Sequence, residues 1–131
     1  MQHVPDFSKN WLRHFAAAVR ARDFASGGKM FDGDVISFGT VCFRVENLDE
    51  LAQQQWRLIW LNTTDFDFEY DSARAVVDEN LAAVIATWKS TGYDRKQKPF
   101  ERRGRATIVL RKGRSGWKAI HTHFSLSPVC A

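Results

Sequence analysis

Apolar residues at Trp11, Leu12, Phe15, Ala16 and Val19 recur at the spacing of one helix face. The charged Arg13, Arg20 and Arg22 lie off that stripe. Asp6 and Ser8 precede it as N-cap types. A shorter helix is expected from Arg22 to Met30, weakened by Ser26-Gly27-Gly28. Asp32-Gly33-Asp34 reads as a turn, and Val35-Ile36-Ser37-Phe38 as a short strand ended by Gly39, with a second extended piece from Val41 to Val45. Asn47 with Glu50 three residues on is a capping-box pattern for a helix running to about Leu61. Its buried stripe is expected to be Leu48, Leu51, Gln55, Leu58 and Ile59, with Trp56 and Trp60 stacked beside it.

Beyond Asn62 the period changes to two. Asp65-Phe66-Asp67-Phe68-Glu69-Tyr70 alternates acids with aromatics. Strands are expected at Ala73–Val77, Leu81–Tyr93, Phe100–Lys112 and Trp117–Ser125, with a polar loop from Asp94 to Pro99 and a tight turn at Gly113-Arg114-Ser115-Gly116. Helices first and an antiparallel meander second make an α+β domain, with the helices on one sheet face. No repeat or linker divides the chain, so residues 1–131 are read as one domain.

Strand alternation then gives the ending its chemistry. Trp117, Ala119, His121, His123 and Ser125 are expected on one face, and Lys118, Ile120, Thr122 and Phe124 on the other. Trp88 is placed inward, because Lys89 beside it prefers water. If the turn pairs Arg111 with Trp117, Thr107 lies opposite His121 and Arg105 opposite His123, and a slip of one residue separates them. On that register the imidazoles serve proton transfer, while Arg105 holds a carboxylate or steadies a developing anion. Two other readings stay open. The histidines line a cavity without catalysis, or His121-Thr122-His123 ligates a metal with a third ligand such as Asp34 or Glu69.

Composition narrows the classes. Ten Phe, five Trp and two Tyr exceed what a core of this size needs and suit an apolar pocket. The net charge of +4 is uneven: nine of nineteen Lys and Arg lie between Arg95 and Arg114, against one acid, Glu101. No aromatic-interleaved signature accompanies them, so they read as a solvated hairpin rather than a nucleic-acid surface. Cys42 and Cys130 show no disulfide or zinc spacing, and Cys42 reads as a small buried hydrophobe. No apolar run suits a signal peptide or membrane span, and a cytoplasmic location is expected. No Ser-His-Asp order, glycine-rich phosphate loop or cysteine-nucleophile motif occurs.

Taken together, Asp34-Val35-Ile36-Ser37-Phe38-Gly39-Thr40, the Trp-bearing helix, Asn80-Leu81-Ala82-Ala83-Val84, Gly104-Arg105-Ala106-Thr107-Ile108-Val109-Leu110 and the Trp…His-x-His-x-Ser ending resemble the SnoaL-like branch of the nuclear transport factor 2-like superfamily. The ending is also similar to the association domain of the calcium/calmodulin-dependent protein kinases. The resemblance covers nearly the whole chain. It implies a cone-shaped α+β barrel, with N-terminal helices packed in a strongly curved antiparallel sheet around a pocket. It further implies a homodimer through the outer face of the sheet, and enzymes that often need no cofactor or metal. The superfamily holds isomerases, cyclases, dehydratases and noncatalytic modules, so fold alone does not give function.

This sequence departs from the ketosteroid isomerase pattern. The general-base Asp of that family falls at about Phe38 or Gly39 here, and its oxyanion Tyr at about Phe15. The expectation is therefore a cofactor-free pocket protein for a small anionic or aromatic molecule: an isomerase, lyase or cyclase with His121, His123 and Arg105 as catalytic residues. Trp56, Trp60, Trp88, Phe38, Asp34 and Thr107 would contact the ligand. The alternatives are a noncatalytic binding or oligomerisation module and a His-x-His metalloprotein.

Overall fold

The computed structural model describes residues 1–128; Cys130 lies outside them. The chain begins with a two-residue strand, β1 (Gln2–His3), which the alternation pattern does not reveal. Helix α1 (Asp6–Ala21) follows and buries every member of its predicted stripe. Each large apolar side chain so buried contributes about 1.5–3 kcal/mol. Its N-cap position is Pro5, so neither Asp6 nor Ser8 caps it. Ser8 is instead fully buried, its Oγ without a partner among the described residues. Helix α2 is only Phe24–Gly28, started by Asp23, whose carboxylate accepts from the Ser26 N–H at 3.0 Å.

Strand β2 spans Phe31–Phe38, absorbing the expected Asp32–Asp34 turn as an irregularity within the strand. Val41–Val45 does not form a strand: a single bridge ties Val45 to Ser37, and the loop buries Cys42 while leaving Phe43 exposed. Asn47 caps the next helix as its sequence predicts, accepting from the Glu50 N–H at 2.9 Å. That helix has two α segments, α3 (Leu48–Leu51) and α4 (Arg57–Trp60), joined by a π turn at Ala52–Trp56. A π turn takes in one extra residue, which rotates the following face by about 100°. The expected stripe fails there. Leu58 turns to solvent at 53% exposure, while Trp56 and Trp60 go into the core.

The strands then run β3 (Thr63–Phe68), β4 (Arg74–Val77), β5 (Leu81–Tyr93), β6 (Pro99–Gly113) and β7 (Gly116–Leu126), with Tyr70–Ser72 as a 3-10 turn. The sheet order is β1-β4-β5-β6-β7-β2, and β3 shares with β4 the edge of β5. Every pairing is antiparallel except β2 with β7, which is parallel. The seven strands form a curved, unclosed sheet with the helices over one face. On β5 and β6 the period-two reading holds along the whole inner face, where Ala82, Val84, Ala86 and Trp88 meet Leu110, Ile108, Ala106 and Gly104.

Candidate functional site

The final strand keeps its position but not its phase. The turn pairs Lys112, not Arg111, with Trp117, a slip of one residue. A bulge then leaves Ile120 unopposed, because Leu110 faces Ala119 and Val109 faces His121. One extra residue reverses a period of two. Ala119 before the bulge and Thr122 and Phe124 after it therefore face the helices, while His121, His123 and Ser125 turn to the outer face. The expected single face from Trp117 to Ser125 is thus corrected. The two shifts place Thr107 opposite His123 and Arg105 opposite Ser125, whose Oγ accepts from Arg105 Nε at 3.3 Å.

The structure accordingly divides the predicted site residues. His121, His123, Arg105 and Thr107 share the outer face. There the Phe38 ring stands edge-on to both imidazoles, with centroids 5.2 and 5.3 Å away. His121 Nδ1–H donates to the Ile36 carbonyl at 2.7 Å. Arg105 and Thr107 are exposed, not inward as expected. Asp34 is exposed too, its N–H bonded to Asp32 Oδ1. Glu69 accepts from Thr87 Oγ1 at 2.7 Å and pairs with Arg103; the Thr87 hydrogen bond and then Arg103 hold its carboxyl below the usual range. Among the described residues no three His, Cys, Asp or Glu side chains converge on a metal position.

Trp56, Trp60 and Trp88 lie on the other side, around a cavity between helices and sheet. From α1 come Phe15 and Val19, from β2 Phe31 and the strand end at Phe38, and from the π turn and α4 Gln55, Trp56, Ile59 and Trp60. The sheet adds Phe66, Trp88, Arg102, Thr122 and Phe124. Trp56 and Trp60 stack at 4.5 Å and 19°, and Phe15 meets Trp60 edge-on at 5.8 Å. The cavity holds about 530 Å³ of empty space including its open mouth, and about 50 Å³ for the centre of a water-sized sphere. By the latter measure a water needs about 10–15 Å³ and a benzene-binding cavity about 150 Å³, so the enclosed room holds a few waters and a larger molecule extends into the open mouth.

Gly104 lets this wall form. A Cβ there would collide with the Trp88 ring and the Ser125 carbonyl. The indole lies across the strand, its Nε1–H donating to the Arg105 carbonyl at 3.2 Å. Arg102 covers the indole at 5.4 Å from its centroid, and burial draws the guanidinium pKa downward.

Gln55, Arg102 and Thr122 were not among the expected site residues, although Gln55 was expected on the buried helix stripe and is buried. Gln55 locks the rim: Oε1 accepts from the N–H groups of Val41 and Cys42, and Nε2 donates to Thr40 Oγ1 at 2.8 Å. Its signal was a lone amide in an apolar stripe. Thr122 shares a buried 2.7 Å hydrogen bond with Ser37. Arg102 was legible from its two-residue offset from Gly104, which puts it on the face of Ala106 and Ile108.

An aromatic cavity between such helices and a curved sheet defines a class of small-molecule-binding α+β folds. The sequence model of the SnoaL-like domain matches residues 9–129, and the chain belongs to that family. No curated protein matches the sequence. Among solved structures, a nuclear transport factor 2-like superfamily protein from Salmonella enterica is 16% identical with a TM-score of 0.79, over 93% of this chain and 89% of that one. A ketosteroid isomerase-like protein from Erwinia carotovora is 16% identical with a TM-score of 0.75, over 92% and 94%. The association domain of C. elegans calcium/calmodulin-dependent protein kinase II is 15% identical with a TM-score of 0.66, over 86% and 88%. At these identities the likeness is one of fold.

Proposed function

We propose that this chain binds one compact, ring-sized organic molecule in the aromatic cavity, and that no side chain there moves a proton. One observation carries the reading. Among the described residues the polar side chains on the lining are Thr40, Gln55, Arg102 and Thr122, with no carboxylate, imidazole, thiol or amine among them. General acid–base catalysis near neutral pH needs such a group within hydrogen-bond reach. Proton transfer by His121 or His123 with help from Arg105 would require a substrate on the outer face instead. A cytoplasmic location belongs to the same proposal and rests on the sparse cysteines.

A screen of single-ring ligands by thermal shift and calorimetry tests the reading. A ligand at about 100 times its Kd raises Tm by several degrees. Ile59→Trp, which fills a partly exposed stretch of lining, removes that response while the variant stays folded. If no ring-sized ligand binds, or if binding survives Ile59→Trp unchanged, the cavity is not the site.

A second reading, compatible with the first, concerns assembly. The outer face of the sheet exposes Val76 at 55%, Leu81 at 47% and Ile85 at 42%. Exposed apolar side chains gathered on one sheet face mark a contact surface, and a second copy of this chain is the proposed occupant. Sedimentation of the wild type and of Ile85→Glu decides it: a dimer that the variant dissociates supports the interface, and a wild-type monomer removes it.

A further inference from the structure

We infer that the ligand of this cavity carries one carboxylate, held by the Arg102 guanidinium, on a body of about one aromatic ring. The inference rests on the cavity-binding reading and names its substrate class. Strand β6 places Arg102 on the inner face opposite Ser90, two residues before Gly104. Three contacts hold the side chain there. Its Nη1–H donates to Ser90 Oγ at 3.3 Å. Its guanidinium covers Trp88. Its stem runs over Gly92, where a Cβ would stand 2.8 Å from Arg102 Cδ. A side chain fixed along its length loses little further freedom when it binds.

The guanidinium has five N–H donors, and Ser90 takes one of them. Among the described residues every ion pair uses another arginine: Arg20, Arg44, Arg103 or Arg111. Arg102 is thus a half-buried cation on a cavity wall without an acid beside it. A desolvated charge normally has a partner, and a ligand anion would supply it. The planar fork matches a carboxylate with two parallel hydrogen bonds. Among the described residues the lining contains no second cation to balance a phosphate dianion. The aromatic walls suit an apolar ligand body, and a single ring occupies the enclosed space together with part of the open mouth.

Calorimetry with benzoate, its neutral isostere benzamide, and phenyl phosphate tests this. Wild-type protein is expected to bind benzoate roughly 10- to 100-fold tighter than benzamide. Arg102→Gln removes that preference, and a thermal unfolding transition like that of the wild type shows that the variant is folded. Arg102→Lys keeps the charge without the fork and retains part of the preference. Ser90→Ala weakens benzoate by about two- to fivefold. Equal affinity for benzoate and benzamide, or a preference that survives Arg102→Gln, overturns the carboxylate and leaves the cavity reading standing. Tighter binding of phenyl phosphate than of benzoate overturns it in favour of a dianion. If neither ring binds the wild type, the cavity reading fails and takes this inference with it.

Discussion

Arg102 and Arg103 are neighbours in sequence and occupy opposite surfaces of one strand. Arg103, on the outer face, reaches Glu69 at 3.4 Å and Glu101 at 3.8 Å, where solvent screens each pair. Arg102, on the inner face, has a tryptophan, a serine hydroxyl and empty space. The same side chain is a solubilising charge in one place and a desolvated, unpaired one in the other. The whole sheet repeats the contrast. Its outer face collects the imidazoles, Arg105 and most of the charge, and its inner face collects the aromatics and glycines that shape the cavity. What decides the chemistry of a residue here is its phase along the strand.

Two adjacent positions on β6 put the largest strain on that contrast. Ala106 is 3% exposed on the inner face, and Thr107 is exposed on the outer one. Ala106→Asp buries a carboxylate with no partner and is expected to cost about 4 kcal/mol or more, enough to unfold much of the population. Thr107→Asp is expected to stay within about 0.5 kcal/mol. Urea denaturation of the two variants checks the pair, and the reverse order would mean that the faces are exchanged. Next in size is Gly104→Ala. A methyl group there forces Trp88 off the strand against fixed backbone, at about 3 kcal/mol, with near-ultraviolet dichroism reporting the displaced indole.

The two faces of β5 and β6 were readable because nothing interrupts their alternation: Leu81–Tyr93 was placed to the residue, and Trp88 faces inward as expected. The final strand was misread at two points that composition does not mark, a turn register and a bulge at Ile120, and each moves the pairing by one residue. The α3–α4 helix failed for the same physical reason. A π turn inserts one residue, and Leu58 leaves the core. The π turn supplies Gln55 and Trp56 to the cavity and the bulge lies two residues before Thr122 on its wall, so helix and strand existence was legible while the side each residue takes there was not. The three tryptophans keep their expected inward side because a large aromatic stays buried under small errors of phase. His121 and His123 do not, because the bulge at Ile120 reverses their side, and Arg105 and Thr107, which pair on the same face, lie outward with them.

On the outer face the two histidines themselves can be told apart. His121 ties β7 to the parallel edge strand β2 through the Ile36 carbonyl, whereas His123 meets Phe38 only through its ring. His121→Ala is expected to lose about 0.5–1.5 kcal/mol, and His123→Ala less than that. Both variants should keep the benzoate affinity of the wild type, because neither imidazole lines the cavity. A loss of ligand binding in either one would place the site on the outer face.

Glu69 gives the smallest effect and the one that depends on pH. Thr87 and then Arg103 stabilise its carboxylate, so its folded pKa lies below the ordinary 4.5. A carboxyl group whose pKa is depressed by folding contributes stability that is complete above its unfolded value and is lost as pH falls through the folded one. The contribution is therefore present at pH 7 and disappears as the solution is acidified below about pH 4.5. Glu69 is partly exposed and solvent screens the pair, so its size is within about 0.5 kcal/mol. Glu69→Gln should lower Tm slightly at pH 7, and wild type and variant should converge on acidification. A difference that persists unchanged through the acid titration of the carboxyl would mean that Glu69 acts by packing and not by charge. The outer face would then resemble the inner one more closely than its ion pairs suggest.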